Sequence, residues 1–270
     1  MHDRECRVSV TPSRRIAEAG RGMTPLPASA VPPRRRRLVP AALLALAALT
    51  MLTACAPGTA TPEPTASVTA DTPRTVTTSE AELLASVGFQ LGRRSVVAVA
   101  GTIVDSAGAL AINGWLAPEE HRAYAAISAP DGGAFLTLWT PTEIAAQDLS
   151  DPMAPPPLPI PADGWQSTAL DASMSTLAAG QQLLVSLASD RPDNAQLVMQ
   201  GRAMYLRQDT VGDTAVTVFA GPLSEGATQS NIRYWIAADG TLLRLEMRLD
   251  GVNWSVVDFA DEARDVFAGL

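Results

Sequence analysis

The sequence predicts an α+β domain, an antiparallel sheet packed on a few helices, set behind an export signal. Three observations carry this reading. Apolar residues recur at helical spacing in two stretches, around Leu84 and around Leu184. Elsewhere, short runs rich in Val, Ile, Leu and aromatic residues are separated by Asp-Gly and Gly-Gly turns, as in hairpins. Both cysteines, Cys6 and Cys55, precede the domain, so no disulfide can staple it and an apolar core must hold it.

The export signal comes first. Four arginines, Arg34 to Arg37, precede an uncharged, mostly apolar run from Leu38 to Leu52. A membrane span needs ~20 such residues; this run is shorter and has the length and flank of a signal sequence. It ends in Leu52-Thr53-Ala54-Cys55, which resembles a bacterial lipobox. That resemblance implies cleavage after residue 54 and a lipid on the sulfur of Cys55. Residues 1–54 are then the signal peptide, and Met23 is an alternative start with a more compact basic region. The mature chain would sit on the extracytoplasmic face of the cell membrane, held by its lipid anchor. Beyond residue 54 there are 11 arginines, no lysine and 25 acidic residues, a net −14. Such a balance argues against nucleic acid or anionic headgroups as the main ligand.

Residues 55–78 are rich in Thr, Pro and Ala, with Pro57, Pro62, Pro64 and Pro73. They bury too little to offset chain entropy and read as a disordered tether of up to roughly 70 Å.

The folded domain is expected over 79–270. Ser79 and Glu82 fit a capping box opening a helix from about Glu80 to Leu91. Val96–Val104 and Ala109–Leu116 form a hairpin about Asp105-Ser106-Ala107-Gly108. Tyr124–Ser128 and Ala134–Thr140 form another about Pro130-Asp131-Gly132-Gly133. In its second strand, Leu136 and Leu138 alternate with Phe135, Thr137 and Trp139, as in a strand covered on both sides. Ser150–Pro161 holds six prolines, which forbid regular structure, and reads as a surface strap. Leu177–Ser189 is the second helix, and strands are expected at Leu197–Met199, Ala203–Gln208 and Thr214–Ala220.

The last strands are the most legible. A two-residue turn at Asp239-Gly240 sets Ile236 opposite Leu243, Tyr234 opposite Leu245 and Ile232 opposite Met247, all on one side. The other side then pairs Arg233 with Glu246 and stacks Arg244 on Trp235. A similar turn at Asp250-Gly251 would add Trp254 beside Met247 and Val256 beside Leu245. These eight residues form an apolar wall. It is either plain core or, if too large for two short helices to cover, the wall of a ligand cavity.

Catalytic signatures are sparse. Beyond the signal peptide there is one histidine, His121, and no thiol apart from Cys55. Cys/His zinc sites, a cysteine nucleophile, a phosphate-binding Lys loop, a Gly-x-Ser-x-Gly elbow and a dinucleotide fingerprint are missing. Glu119-Glu120-His121 reads as a solvated turn, and Asp258, Asp261, Glu262 and Asp265 as a solvated acidic face. No enzyme activity, cofactor or metal is expected.

The order of helix, hairpins, strap, helix and antiparallel strands behind a lipobox resembles the actinobacterial LolA-like lipoproteins, the LppX/LprAFG family. The likeness is carried by Ala203-Met204-Tyr205-Leu206, Asp209-Thr210-Val211-Gly212-Asp213, Tyr234-Trp235-Ile236-Ala237-Ala238-Asp239-Gly240 and Leu242-Leu243-Arg244-Leu245-Glu246. It implies a strongly curved sheet, a half-barrel, whose apolar cavity takes the acyl chains of a lipid or glycolipid. It implies a monomeric carrier that works with envelope transport proteins, with binding spread over apolar side chains. The Ala-rich middle and long strap depart from the family pattern. The alternative is a structural or interaction lipoprotein with a filled core, using the strap and acidic surface as contacts.

Overall fold

The computed structural model describes residues 72–106 and 108–268. The signal peptide, Cys55 and the tether as far as residue 71 lie outside the described residues. The chain runs β1 (Arg74–Thr75), α1 (Thr78–Gly92), β2 (Val97–Asp105), β3 (Gly108–Ala117), β4 (Arg122–Ser128), β5 (Ala134–Trp139), β6 (Glu143–Asp148) and β7 (Gln166–Ala169). It continues with α2 (Thr176–Ser186), α3 (Ala195–Gln200), β8 (Met204–Val211), β9 (Thr214–Ala220), β10 (Ile232–Ala237), β11 (Leu242–Met247) and β12 (Ser255–Asp261). The strands form one 12-stranded sheet in the order β1-β8-β9-β10-β11-β12-β2-β3-β4-β5-β6-β7. Every pairing is antiparallel.

Ordered structure begins earlier than Ser79. Arg74 and Thr75 pair with Tyr205 and Met204 at the sheet edge. The capping box of α1 is Thr77 with Glu80, two residues upstream of the expected Ser79 and Glu82. Thr77 is extended and its hydroxyl accepts from the Glu80 N–H, while Glu80 reaches back to the Thr77 N–H at 2.8 Å. Arg74 then fixes Glu80 with two bonds of 2.7 Å.

Alternation sorts the side chains of the sheet into two faces. The front face carries Leu110, Ile112 and Leu116 of β3, Ala123, Ala125 and Ile127 of β4, and Trp139 of β5. It packs under α1 (Leu84, Val87, Leu91), α2 (Leu184, Val185) and α3 (Val198) in one continuous core. The back face carries Trp115, Tyr124, Leu136 and Leu138, packed with Ile160 and Trp165 of the strap region and with Val266 and Phe267 near the C-terminus. β5 is thus covered on both sides, as its doubled apolar pattern requires. The strap is tied on by two side chains of β4: Tyr124 Oη–H donates to Pro157 O at 3.0 Å and Ser128 Oγ–H to Pro152 O at 2.7 Å.

Gly88 lies mid-helix in α1, where a glycine weakens the helix, yet it has a packing use. A Cβ there would meet Leu187 O at 2.7 Å, so only glycine lets the chain leaving α2 lie against α1. Ser189 N–H donates to Gly88 O and Asp193 N–H to Ala85 O across that contact.

Two expectations fail here for physical reasons, and two strands appear that were not expected. Leu197–Met199 is helical rather than a strand, because Asn194 Oδ1 caps the turn by accepting from Gln196 N–H at 2.9 Å. β6 and β7 have little apolar signal and are strands because the ladder continues from β5. His121 is not a solvated turn residue: it sits at φ 49° and its Nδ1 lies 2.8 Å from Val185 O. Since a carbonyl only accepts, Nδ1 carries the proton there.

Candidate functional site: a groove between helix α2 and the sheet

Helix α2 is positioned by polar contacts along one flank. At its N-terminus Ser175 is the cap, and Asp105 at the end of β2 accepts from Leu177 N–H at 2.9 Å and from the Thr176 hydroxyl at 2.6 Å. A carboxylate at this end is favoured by the exposed N–H groups of the first turn. In its middle, Trp139 Nε1–H donates to Gln181 O at 2.8 Å, and buried Gln181 reaches Thr137 Oγ1 at 3.2 Å. At its C-terminus His121 satisfies Val185 O, one of the carbonyls that no later turn can reach.

The opposite flank of α2 is different. Ala179, Gln182, Leu183 and Ser186 recur at i, i+3, i+4 and i+7 and face a groove whose other wall is Asn231 and Ile232 at the start of β10 with Arg248 and Leu249 after β11. Its volume is about 410 Å³, within the ~300–1,000 Å³ of small-molecule pockets. Aliphatic side chains form its floor, and the polar groups Gln182, Asn231 and Arg248 border it. Asn231 Oδ1 accepts from Arg248 Nε–H at 3.2 Å, which closes the strand ends together.

The groove opens beside the face where the apolar wall was expected, and the strand register decides which residues belong there. Ile232, Tyr234, Leu245 and Met247 lie on the front as read, with Ile232 opposite Met247 and Tyr234 opposite Leu245. Ile236 is also on the front, but its partner is Leu242, not Leu243. The turn is longer than two residues. Ala237 pairs with Thr241, Gly240 N–H donates to Ala237 O, and Gly240 sits at φ 91°. This is a type I turn closed by a glycine bulge, which needs one positive φ where a two-residue type I′ turn needs two. A bulge at Leu243 then restores the register, so Leu243 and Arg244 both lie beside Trp235 on the back.

The second turn slips as well. The Asp250 carboxylate accepts from the N–H groups of Val252 and Asn253 at 2.8 and 2.7 Å, an Asx-type turn that takes up an extra residue. Met247 therefore pairs with Ser255, and Leu245 with Val257. Trp254 and Val256 move to the back, and Val257 and Phe259 take their place on the front. Trp254 is stacked under Arg233 at 4.0 Å and Arg248 at 5.1 Å. The expected stacking of Arg244 on Trp235 is replaced by Arg207, 5.7 Å from the ring, while Arg244 binds Asp258. The expected Arg233–Glu246 ion pair is present at 3.2 Å.

Most of the front wall is packed shut: Ile236, Leu245 and Met247 have 0% exposure. Burial, with a smaller push from the Asp193 carboxylate, raises the Tyr234 hydroxyl to about 12. Ile232 is the wall residue that lines the groove. Ile232 is the one groove residue expected from the sequence; the α2 stripe at 179, 183 and 186 was not.

Three of the four acidic C-terminal residues are paired rather than merely solvated. Asp258 binds Arg244, Asp261 binds Arg94, and Glu262 accepts from Trp115 Nε1–H at 3.0 Å and from Arg264. Among the described residues no cluster of three His, Cys, Asp or Glu could hold a metal, and no helix is long and apolar enough to cross a membrane.

No family model matches the chain, and no curated protein matches it. Among solved structures it is similar to the Mycobacterium tuberculosis lipoprotein LppX, with 16% identity and a TM-score of 0.39, covering 70% of this chain and 96% of that one. It is also similar to a domain described as an outer membrane lipoprotein-sorting protein domain, from Vibrio parahaemolyticus, at 10% identity and a TM-score of 0.22, covering 67% and 89%. A DUF1329 family protein from Desulfovibrio piger matches at 11% identity and a TM-score of 0.28, covering 72% and 94%.

Proposed function

We propose that this chain is a membrane-anchored, extracytoplasmic lipoprotein that binds a lipid or lipoglycan, the acyl part entering between α2 and the sheet. The observation that supports the reading is the groove of about 410 Å³ floored by Ala179, Leu183, Ile232 and Leu249, beside an apolar sheet face. Transfer from one membrane or partner to another would need no catalysis. Sheltering an acyl chain from water is favoured by ~0.8 kcal/mol per methylene, and the chain leaves as it came when a better apolar surface is offered. The lipid on Cys55 would keep the groove close to the donor bilayer, and the sequence resemblance points to the same ligand class and to envelope transport proteins as partners.

Native mass spectrometry of the protein purified from membranes in mild detergent tests this. A co-purifying lipid is expected in the wild type and at least tenfold less in Ala179→Trp, which fills the groove from an already half-buried position. No lipid in the wild type, or equal loading in both proteins, would sink the idea.

A second reading has its own observation. Because Ile236, Leu245 and Met247 are fully buried, the wall behaves as filled core, which suits a non-enzymatic interaction lipoprotein of the envelope. Under that reading the groove variant keeps its partners, and removing Ser150–Pro161 loses them.

A further inference from the structure

A different recess lies on the back of the sheet, at the β5–β7 end. Its floor is a single cross-strand row: Leu138 pairs with Ala145, and Ala145 with Ser167. The side chains shrink along that row, and the hollow they leave measures about 290 Å³. One wall is Trp165, whose orientation is set by two contacts. Its Nε1–H donates to Pro161 O at 2.7 Å, and its ring meets Tyr124 edge-on at 6.3 Å. The strap thus holds an indole beside a hollow of small side chains.

The rim is polar and of mixed charge. Arg122 lies on one side, its Nε 2.9 Å from the Glu120 carboxylate in an ion pair. The Arg122 Nη donors remain for a ligand. Across from it are Thr140 and Glu143. The Thr140 oxygen accepts from Glu143 N–H at 3.2 Å, which leaves its own proton to donate. The Glu143 carboxylate has no ion pair or side-chain hydrogen bond among the described residues.

A ligand here must accept from Arg122 and Thr140 and donate to Glu143 while laying an apolar surface on Trp165. An anion would meet Glu143, and a cation would meet Arg122. A lipid tail would strand all three polar groups, each at the cost of an unmet hydrogen bond. Hydroxyl groups both donate and accept, and a pyranose ring adds an apolar C–H face for an indole. The volume is at the lower end of the ~300–1,000 Å³ of ligand pockets, room for one sugar unit and not for a diacyl lipid.

We propose that this recess is a saccharide site that binds a neutral pyranose unit through Trp165, Arg122, Thr140 and Glu143. The inference stands apart from the lipid reading, because it uses the other face of the sheet and none of the groove residues.

The test is saturation-transfer NMR on the purified protein with the methyl pyranosides of glucose, mannose and galactose, and with benzoate as an apolar anion. At least one pyranoside should bind saturably, with Kd on the order of 1 mM for a ligand of this size. Ala145→Leu, which fills the floor without removing a contact, should weaken it at least tenfold, and Glu143→Gln several-fold. Ser167→Leu makes the same test from an exposed position should Ala145→Leu fail to fold. Absence of saturable binding by every pyranoside, unchanged binding in the filled variants, or benzoate binding as well as the sugars would each overturn the proposal.

Discussion

On the front of the sheet, strands from β2 to β5 and from β8 to β12 send apolar side chains under three helices into one continuous core. On the back, the same strands feed two separate clusters. One is roofed by the strap and the C-terminal tail. The other, Val216, Val218 and Trp235 with Leu206 and Leu243 around them, is roofed by no helix among the described residues. Arg207 lies over its tryptophan with the guanidinium turned toward Asp209. A long side chain with an apolar stem and a charged head does there what a helix does in front. One sheet therefore shows two ways of drying an apolar surface: docking a regular element, or laying irregular chain and arginine stems across it. The first should be strongly cooperative and the second locally tolerant.

The largest test of that contrast compares two leucines two residues apart on β11. Leu245 is fully buried on the front; Leu243 is half-buried in the bulge on the back. Leu245→Ala should cost about 2–5 kcal/mol, the transfer term plus a cavity that close-packed neighbours cannot refill. Leu243→Ala should cost less than about 1.5 kcal/mol, because the bulge can relax. Urea denaturation of both variants decides it, and equal losses would erase the distinction between the faces.

The same contrast explains what could be read from the sequence. The front face was legible where strands alternate over several residues, as in Ile232 and Tyr234. Alternation is local and survives ignorance of the rest of the fold. Register is not local. It depended on the turns at Gly240 and Asp250, where one extra residue sent Leu243, Trp254 and Val256 to the back. The roof of the back face was illegible for another reason. Ile160 and Trp165 lie in and just after a proline run with no period, so nothing in sequence says which surface they cover. The candidate groove was half legible: Ile232 was named, while Ala179 and Leu183 were not, because the stripe facing the core masks a second stripe on the same short helix. β1 was read as tether since two residues carry no pattern of their own.

A medium effect is expected where the front roof is fastened. Asp105 holds the N-terminus of α2 through Thr176 and Leu177. Asp105→Ala should cost about 1–2 kcal/mol, as for loss of a helix cap. It should also speed amide exchange in α2 more than in α1, which is capped independently by Thr77 and Glu80. Uniform acceleration in both helices would mean that the roof moves as one block.

Each face also carries a tyrosine in apolar surroundings, Tyr124 fully buried behind and Tyr234 half-buried in front, and burial raises both hydroxyls to about 12 from an ordinary 10. Both groups hold their protons more tightly folded than unfolded, so they stabilise fully below pH 10. That contribution is lost as pH rises through about 12. In an alkaline absorbance titration neither should ionise before the protein begins to unfold. Tyr124→Phe separates the faces further: it removes the bond to Pro157 and should cost about 1 kcal/mol. A back-face tyrosine that titrated near 10 would show that the strap admits water.

The smallest effect concerns the edge strand. A two-residue strand has too short a ladder to hold itself, and β1 is instead gripped by side chains. Arg74 lies 4.1 Å from the centre of the Tyr205 ring and binds Glu80 with both terminal nitrogens. The Arg74 guanidinium, then the Thr77 N–H and hydroxyl, hold the Glu80 carboxyl down at about 2. A carboxyl with a depressed folded value stabilises above its unfolded value near 4.5, and that stability is lost as pH falls through about 2. Glu80→Gln should therefore destabilise by about 1 kcal/mol or less at neutral pH, the range of a partly exposed pair with a cap. The gap from wild type should close between pH 4.5 and 2, where the native glutamate takes up its own proton. A gap that stayed constant across that window would mean that β1 is held by its ladder and not by charge.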